Sequence, residues 1–239
     1  IGELGWSASK TMKIAQQLYE GIETDKGQIA FITYMRTDST RISSVAREKA
    51  VEIVTRKFGK EYVGSVRSAG KGKKIQDAHE AIRPTYPEND PETAKKLISG
   101  DNLRLYTLIW NRFIASQMAS AEYAVTDVQL EDENKKYILS LTGERRLFDG
   151  FERIISRSSK SEIGRDYKKG EEIKPSKIEF EEDTTKPPSR FSEASLVKEL
   201  EKRGIGRPST YATIISTLLD RKYVLRQSRE LRPTLLGSI

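Results

Sequence analysis

The hydrophobic period of this chain changes once, near Tyr123, and that change limits what it can fold into. Up to Ala119, apolar residues recur at three- and four-residue spacing, as amphipathic helices require. From Ala124 to Leu130 they alternate with period two. The polar stretch Glu131 to Lys135 and a second alternating run, Lys136 to Leu141, complete the pattern of an antiparallel hairpin. Beyond Lys186-Pro187-Pro188-Ser189, a stiff linker, helical spacing returns. The expected fold class is α+β. A helical domain spans residues 1–120, a β-rich segment 121–186, and a C-terminal helical unit 187–239. At 239 residues the chain is long enough to bury more than one core.

Local signals place the elements. A helix is expected between Ser7 and Gly21, with Met12, Ala15, Leu18 and Tyr19 on its apolar stripe. A second runs from Ser43 or Ser44 to about Phe58, burying Val45, Ile53, Val54 and Phe58. Pro91 opens a short helix, and Asp101 a longer one through about Ala119 with Leu105, Leu108, Ile109 and Phe113 inward. Further strands are expected at 153–156 and 177–182. The last unit reads as a helix capped by Ser192 and ended by Gly204, then the turn Gly204-Ile205-Gly206. A second helix follows from about Pro208 to Asp220, and a wing pairs Tyr223–Leu225 with Glu230–Thr234. Helix, tight turn, helix and wing describe a winged-helix-like DNA-binding unit.

The composition narrows the partners. Lys plus Arg exceed Asp plus Glu by 42 to 35, a modest basic excess compatible with nucleic acid. No apolar run reaches membrane-spanning length, so no transmembrane helix is expected. Without cysteine there is no disulfide and no thiolate metal site. The acidic run Glu179, Glu181, Glu182 and Asp183 reads as a solvated face. A strand sends alternate carboxylates apart, whereas a divalent cation needs converging oxygens. The Gly/Ser/Lys-rich stretch Gly64 to Lys74 lacks the Lys-Ser/Thr end of a P-loop and reads as a mobile basic loop.

One stretch carries candidate chemistry: Phe31-Ile32-Thr33-Tyr34-Met35-Arg36-Thr37-Asp38-Ser39. Its β-branched and aromatic opening predicts a short strand breaking near Thr37, with Ile32, Tyr34 and Arg36 on one face. A phenol titrates near pH 10 and attacks poorly until a cation stabilises its phenolate. A guanidinium does this and also forks onto phosphate oxygens. Tyr34 with Arg36 could therefore attack a phosphodiester. On geometry alone, a half-buried structural tyrosine beside a solvated arginine is the favoured reading.

Resemblance separates these readings. Ile32-Thr33-Tyr34-Met35-Arg36-Thr37-Asp38-Ser39 resembles the active-site tyrosine motif of the type IA DNA topoisomerases, in the bacterial topoisomerase I branch. Ala78-His79-Glu80-Ala81-Ile82-Arg83-Pro84-Thr85 and the region from Arg190-Phe191-Ser192 through Gly204-Ile205-Gly206-Arg207-Pro208-Ser209-Thr210-Tyr211 are similar to two further family segments. The β stretch resembles part of the arch framing the family's central hole. The resemblance implies that Tyr34 attacks single-stranded DNA and holds the 5′ end, with Arg36 on the phosphate oxygens. It also implies that His79 assists and that Asp38 orients Arg36 or the turn. Arg190, Arg207, Ser209, Thr210 and Arg221 are expected to contact DNA; for Arg221, a charge closing a helix fits as well. The partners implied are single-stranded and negatively supercoiled DNA, acted on without ATP by a monomer in the bacterial cytoplasm, at the nucleoid. The family's Asp-x-Asp-x-Glu carboxylates, which hold Mg2+, have no match here, so no metal ligand is assigned. The chain, which opens Ile1-Gly2-Glu3-Leu4 without Met, is expected to be a central fragment, inactive alone. Two alternatives compete. One is a non-catalytic single-stranded DNA-binding module. The other is a tyrosine recombinase, in which the tyrosine follows its Arg and His in sequence, whereas Tyr34 precedes His79.

Overall fold

Three serines start three helices. Ser7 Oγ accepts the Lys10 N–H at 3.1 Å and opens α1 (Ala8–Glu20). Ser43 Oγ accepts the Ala46 N–H at 3.3 Å and opens α2 (Ser44–Phe58). Each satisfies an amide that the first turn leaves without a carbonyl. The computed structural model describes residues 1–25, 27–65, 79–156, 162–163 and 165–238. Most of the expected basic loop, from residue 66 on, lies outside these residues.

After α1 the chain makes a short hairpin, β1 (Ile22–Thr24) with β2 (Gly27–Ile29), which the sequence reading did not include. It then crosses the core as an irregular segment. The expected strand through Tyr34 is absent; Ile32 makes a single antiparallel bridge to Pro84. α3 (Pro91–Ala94) is capped by Asp90, and α4 (Gly100–Ser116) carries the largest share of the core. Leu105, Tyr106, Trp110, Phe113 and Ile114 of α4 close on Leu18 of α1, Ala50, Ile53 and Val54 of α2, and Phe31 and Ile32. Tyr106 meets Phe31 edge-on at 5.5 Å, and Trp110 Nε1 donates to the Pro87 carbonyl at 2.8 Å. Val45, expected inside, is 62% exposed, and Ala46 takes its place one position on.

The alternating stretch forms the hairpin β3 (Glu122–Glu131) and β4 (Ile138–Phe148), antiparallel, with Val128 opposite Leu141. Its base is rooted on the helical unit. Phe148 packs against the Tyr62 ring at 4.8 Å, and the Tyr62 hydroxyl donates to Asp149 Oδ1 at 2.7 Å. The expected strand at 153–156 is instead the end of a 3-10 turn, Gly150–Arg153, and residues 177–182 are unpaired, with Phe180 99% exposed. A strand needs a partner for its amides, and none of the described residues runs beside these segments.

In the last unit, α5 (Glu193–Lys202) starts with a reciprocal box, Ser192 Oγ accepting from Ser195 N and Ser195 Oγ from Ser192 N. α6 (Tyr211–Asp220) begins later than expected. Pro208 lies in the preceding turn, where Thr210 Oγ1 accepts the Arg207 N–H at 2.8 Å. The wing is β5 (Val224–Gln227) with β6 (Glu230–Pro233). This unit touches the first helix directly. α6 packs on α1, and the buried Glu193 accepts the Ala8 N–H at 2.6 Å while pairing with Arg226. The carboxylate thus serves the leading amide of α1 and a cation of the wing together.

Candidate active site

The backbone around Tyr34 is held by what flanks it. Ile32 and Met35 are 1% and 4% exposed, both sunk into the core, while Tyr34 between them is 40% exposed. Alternation of a strand would have put Ile32 and Tyr34 on one face; the irregular backbone parts them, one inward and one outward. Residues 79–85 lie alongside. Thr33 N donates to the Arg83 carbonyl at 3.0 Å, and Thr85 N to the Phe31 carbonyl at 3.0 Å. Thr33 Oγ1 donates to the Ala81 carbonyl at 2.8 Å and accepts from Arg83 N at 3.0 Å. Ala81 N reaches the Arg41 carbonyl at 2.8 Å. These bonds fasten the tyrosine segment to the histidine segment across nearly fifty residues of sequence.

Glu80 locks the same junction. Its carboxylate accepts the Ser43 N–H at 2.8 Å and pairs with Arg83 at 2.8 Å. Burial works against that charge, but Arg83 and the Ser43 amide outweigh it and hold the carboxyl below its usual range. Glu80 and Arg83 are thereby spent on each other and on the backbone.

Between the two segments lies a cleft of about 350 Å³, lined in part by Tyr19, Ile32, Tyr34, His79 and Thr85. Tyr34 and His79, singled out in the sequence, share it. Arg36 and Asp38 are exposed on the next turn of chain and do not line it, nor do they pair with each other among the described residues. Asp38 faces the last unit instead. Burial, Glu201 and Asp38 raise the Tyr211 phenol above its usual range, against the pull of Arg207. The tyrosine turn and the start of α6 are therefore electrostatic neighbours. Arg190, Arg207, Ser209, Thr210 and Arg221 are all exposed. The Thr210 hydroxyl is occupied by Arg207 N, and the Arg207 carbonyl takes the Thr210 and Tyr211 amides, which leaves fewer free donors at this helix start than expected. Arg221 follows the last turn of α6, where its charge meets the carbonyl end of the helix.

Tyr19, which helical spacing assigned to the α1 core stripe, stands in the cleft wall with its ring edge-on to Tyr34 at 5.2 Å. Spacing alone could not separate it from the core, because it lies four residues after the buried Ala15 and so on the same face of the helix. Among the described residues no group of His, Asp and Glu could hold a metal ion.

The family model described as DNA topoisomerase matches residues 2–239, and the chain belongs to that family. The relatives it resembles are bacterial topoisomerase I proteins. It is 50% identical to DNA topoisomerase 1 of Thermotoga maritima over 99% of this chain and 37% of the relative. Against the Fervidobacterium islandicum protein of the same name the identity is 49%, over 99% of this chain and 34% of the relative. The solved full-length topoisomerase I of Thermotoga maritima superposes with a TM-score of 0.89 at 47% identity, covering 99% of this chain and 38% of that one. The chain thus spans about a third of the length of the relatives it matches.

Proposed function

We propose that Tyr34 is the nucleophile of a DNA strand-cleaving and rejoining reaction, and that the chain is the tyrosine-bearing portion of a type IA topoisomerase. The observation that carries this is the exposed phenol held between two buried neighbours, at a cleft it shares with His79. Tyr34 Oη attacks a phosphodiester of single-stranded DNA, forming a bond to phosphorus as the bond to the 3′ oxygen breaks. The strand is left as a 5′-phosphotyrosyl end and a free 3′-hydroxyl. Arg36, exposed beside the tyrosine, binds the non-bridging oxygens and stabilises the charge that builds on them. His79 donates a hydrogen bond or carries the proton. Asp38 sets the turn that presents Arg36. Arg190, Arg207, Ser209, Thr210 and Arg221 grip the strand by its phosphates, which makes binding salt-sensitive. One phosphoester is exchanged for another, so the reversal needs no ATP. Passing a second strand through the gap relaxes negative supercoils. Mg2+ is needed by the reaction in the longer protein, and no step on this chain's residues is assigned to it. We assign three units, 1–120, 121–186 and 187–239, in a protein that acts as a monomer in the bacterial cytoplasm, at the nucleoid.

The test is an end-labelled single-stranded oligonucleotide incubated with magnesium and the chain, alone and with the portion of a relative that lies outside the match. A covalent adduct to the 5′ phosphate at the break, missing in Tyr34→Phe, is expected in the combined reaction. An adduct that persists in Tyr34→Phe, or a link to the 3′ phosphate, overturns the assignment.

A further inference from the structure

We infer that the cleft beside Tyr34 seats a single nucleobase of the bound strand, with the Tyr19 ring as its stacking platform. This rests on the strand-cleavage reading above and names what the cleft accepts: the base next to the phosphate that Tyr34 attacks. Tyr19 occupies the last turn of α1 yet is 38% exposed, so its ring is not consumed by the core. It stands edge-on to Tyr34, with the planes at 64°. That leaves a ring face open beside the nucleophile, with the apolar side chains of Ala30 and Ile32 completing the wall.

The polar groups of the cleft point to the same occupant. The Thr33 hydroxyl is taken by the Ala81 carbonyl and the Arg83 amide, and Glu80 by Ser43 and Arg83. Arg36 is exposed and does not line the cleft. With Thr33 and Glu80 committed and an aromatic face free, the slot suits the π-face of a base, whose edge the unpartnered Thr85 hydroxyl can meet. Its volume of about 350 Å³ lies at the small end of ligand pockets, enough for one ring system. Since every base offers a face to stack, the seat selects position and not sequence. Stacking there would fix the sugar–phosphate on one side of Tyr34 and so set the line of attack.

The experiment uses single-stranded oligonucleotides in which the fluorescent analogue aminopurine replaces one base at a time, with affinity followed separately by anisotropy of an end dye. The unmodified protein is expected to quench the analogue at one position. Tyr19→Phe keeps the quenching. Tyr19→Ala abolishes it and weakens binding by about tenfold, the loss of one stacked base. Thermal melting confirms that the variants fold, and Tyr19→Leu replaces Tyr19→Ala if the latter does not. Quenching at no position, equal quenching at all positions, or quenching unchanged without the Tyr19 ring overturns the inference. If the oligonucleotide does not bind, the strand-cleavage reading falls with it; if a Tyr34 adduct forms without quenching, only the base seat falls.

Discussion

Tyr34 is useful because its neighbours are not free to move. Its hydroxyl makes no hydrogen bond among the described residues, so Tyr34→Phe is expected to leave the melting temperature essentially unchanged while removing the covalent adduct. Met35→Ala should do the opposite first. Emptying a buried thioether site typically costs about 2–5 kcal/mol, and the chemical denaturation midpoint should fall accordingly. The motif around Tyr34 was legible in the sequence as a pattern of residue types. Its conformation was not. The segment is shaped by a bridge to Pro84 and by bonds from residues 81–85, and nothing within ten residues of Tyr34 announces those partners. Tyr19 was hidden for a related reason, since spacing reports which side of a helix faces inward but not which of those side chains ends at a cleft.

Elements whose boundaries depend on neighbours a few residues away were readable. Ser192 caps the helix expected of it, Ser43 takes the cap left open between Ser43 and Ser44, and Ser7 caps the first expected helix, because in each the side chain and the amide it satisfies are within three positions. The strands expected at 153–156 and 177–182 failed because pairing is decided by a second segment that composition cannot name. At this scale Glu80 is the testable joint. Its folded pKa is depressed, so its contribution is present at neutral pH and is lost as acidity rises through the carboxylate range. Asp90 behaves alike. Burial raises it, but Lys57 and the Thr93 amide prevail and hold it at about 2. Urea unfolding should therefore show stability falling from about pH 4 toward about pH 2. Asp90→Asn should flatten that slope. Glu80→Gln should cost about 1–3 kcal/mol at neutral pH, from the weakened Ser43 and Arg83 contacts.

Across the whole molecule, the first helix and the last unit meet although they are far apart in sequence. Glu193 makes the join, and its partners are the leading amide of α1 and the Arg226 guanidinium. Glu193→Ala should lower stability by about 1–3 kcal/mol in urea unfolding, since it strands the Ala8 amide and releases Arg226 to solvent. The order of helices, hairpin and helices was visible from the change of period; this contact was not, because it joins residues 185 positions apart. The lacing between residues 31–33 and 81–85 carries a different consequence. Local fraying there would have to break amide bonds that sit over the same packed side chains as α4, so deuterium uptake at the Thr33 and Thr85 amides should be as slow as in that helix. Tyr34 then has no private melting event: warming would take away its placement only when it takes away the body beneath it.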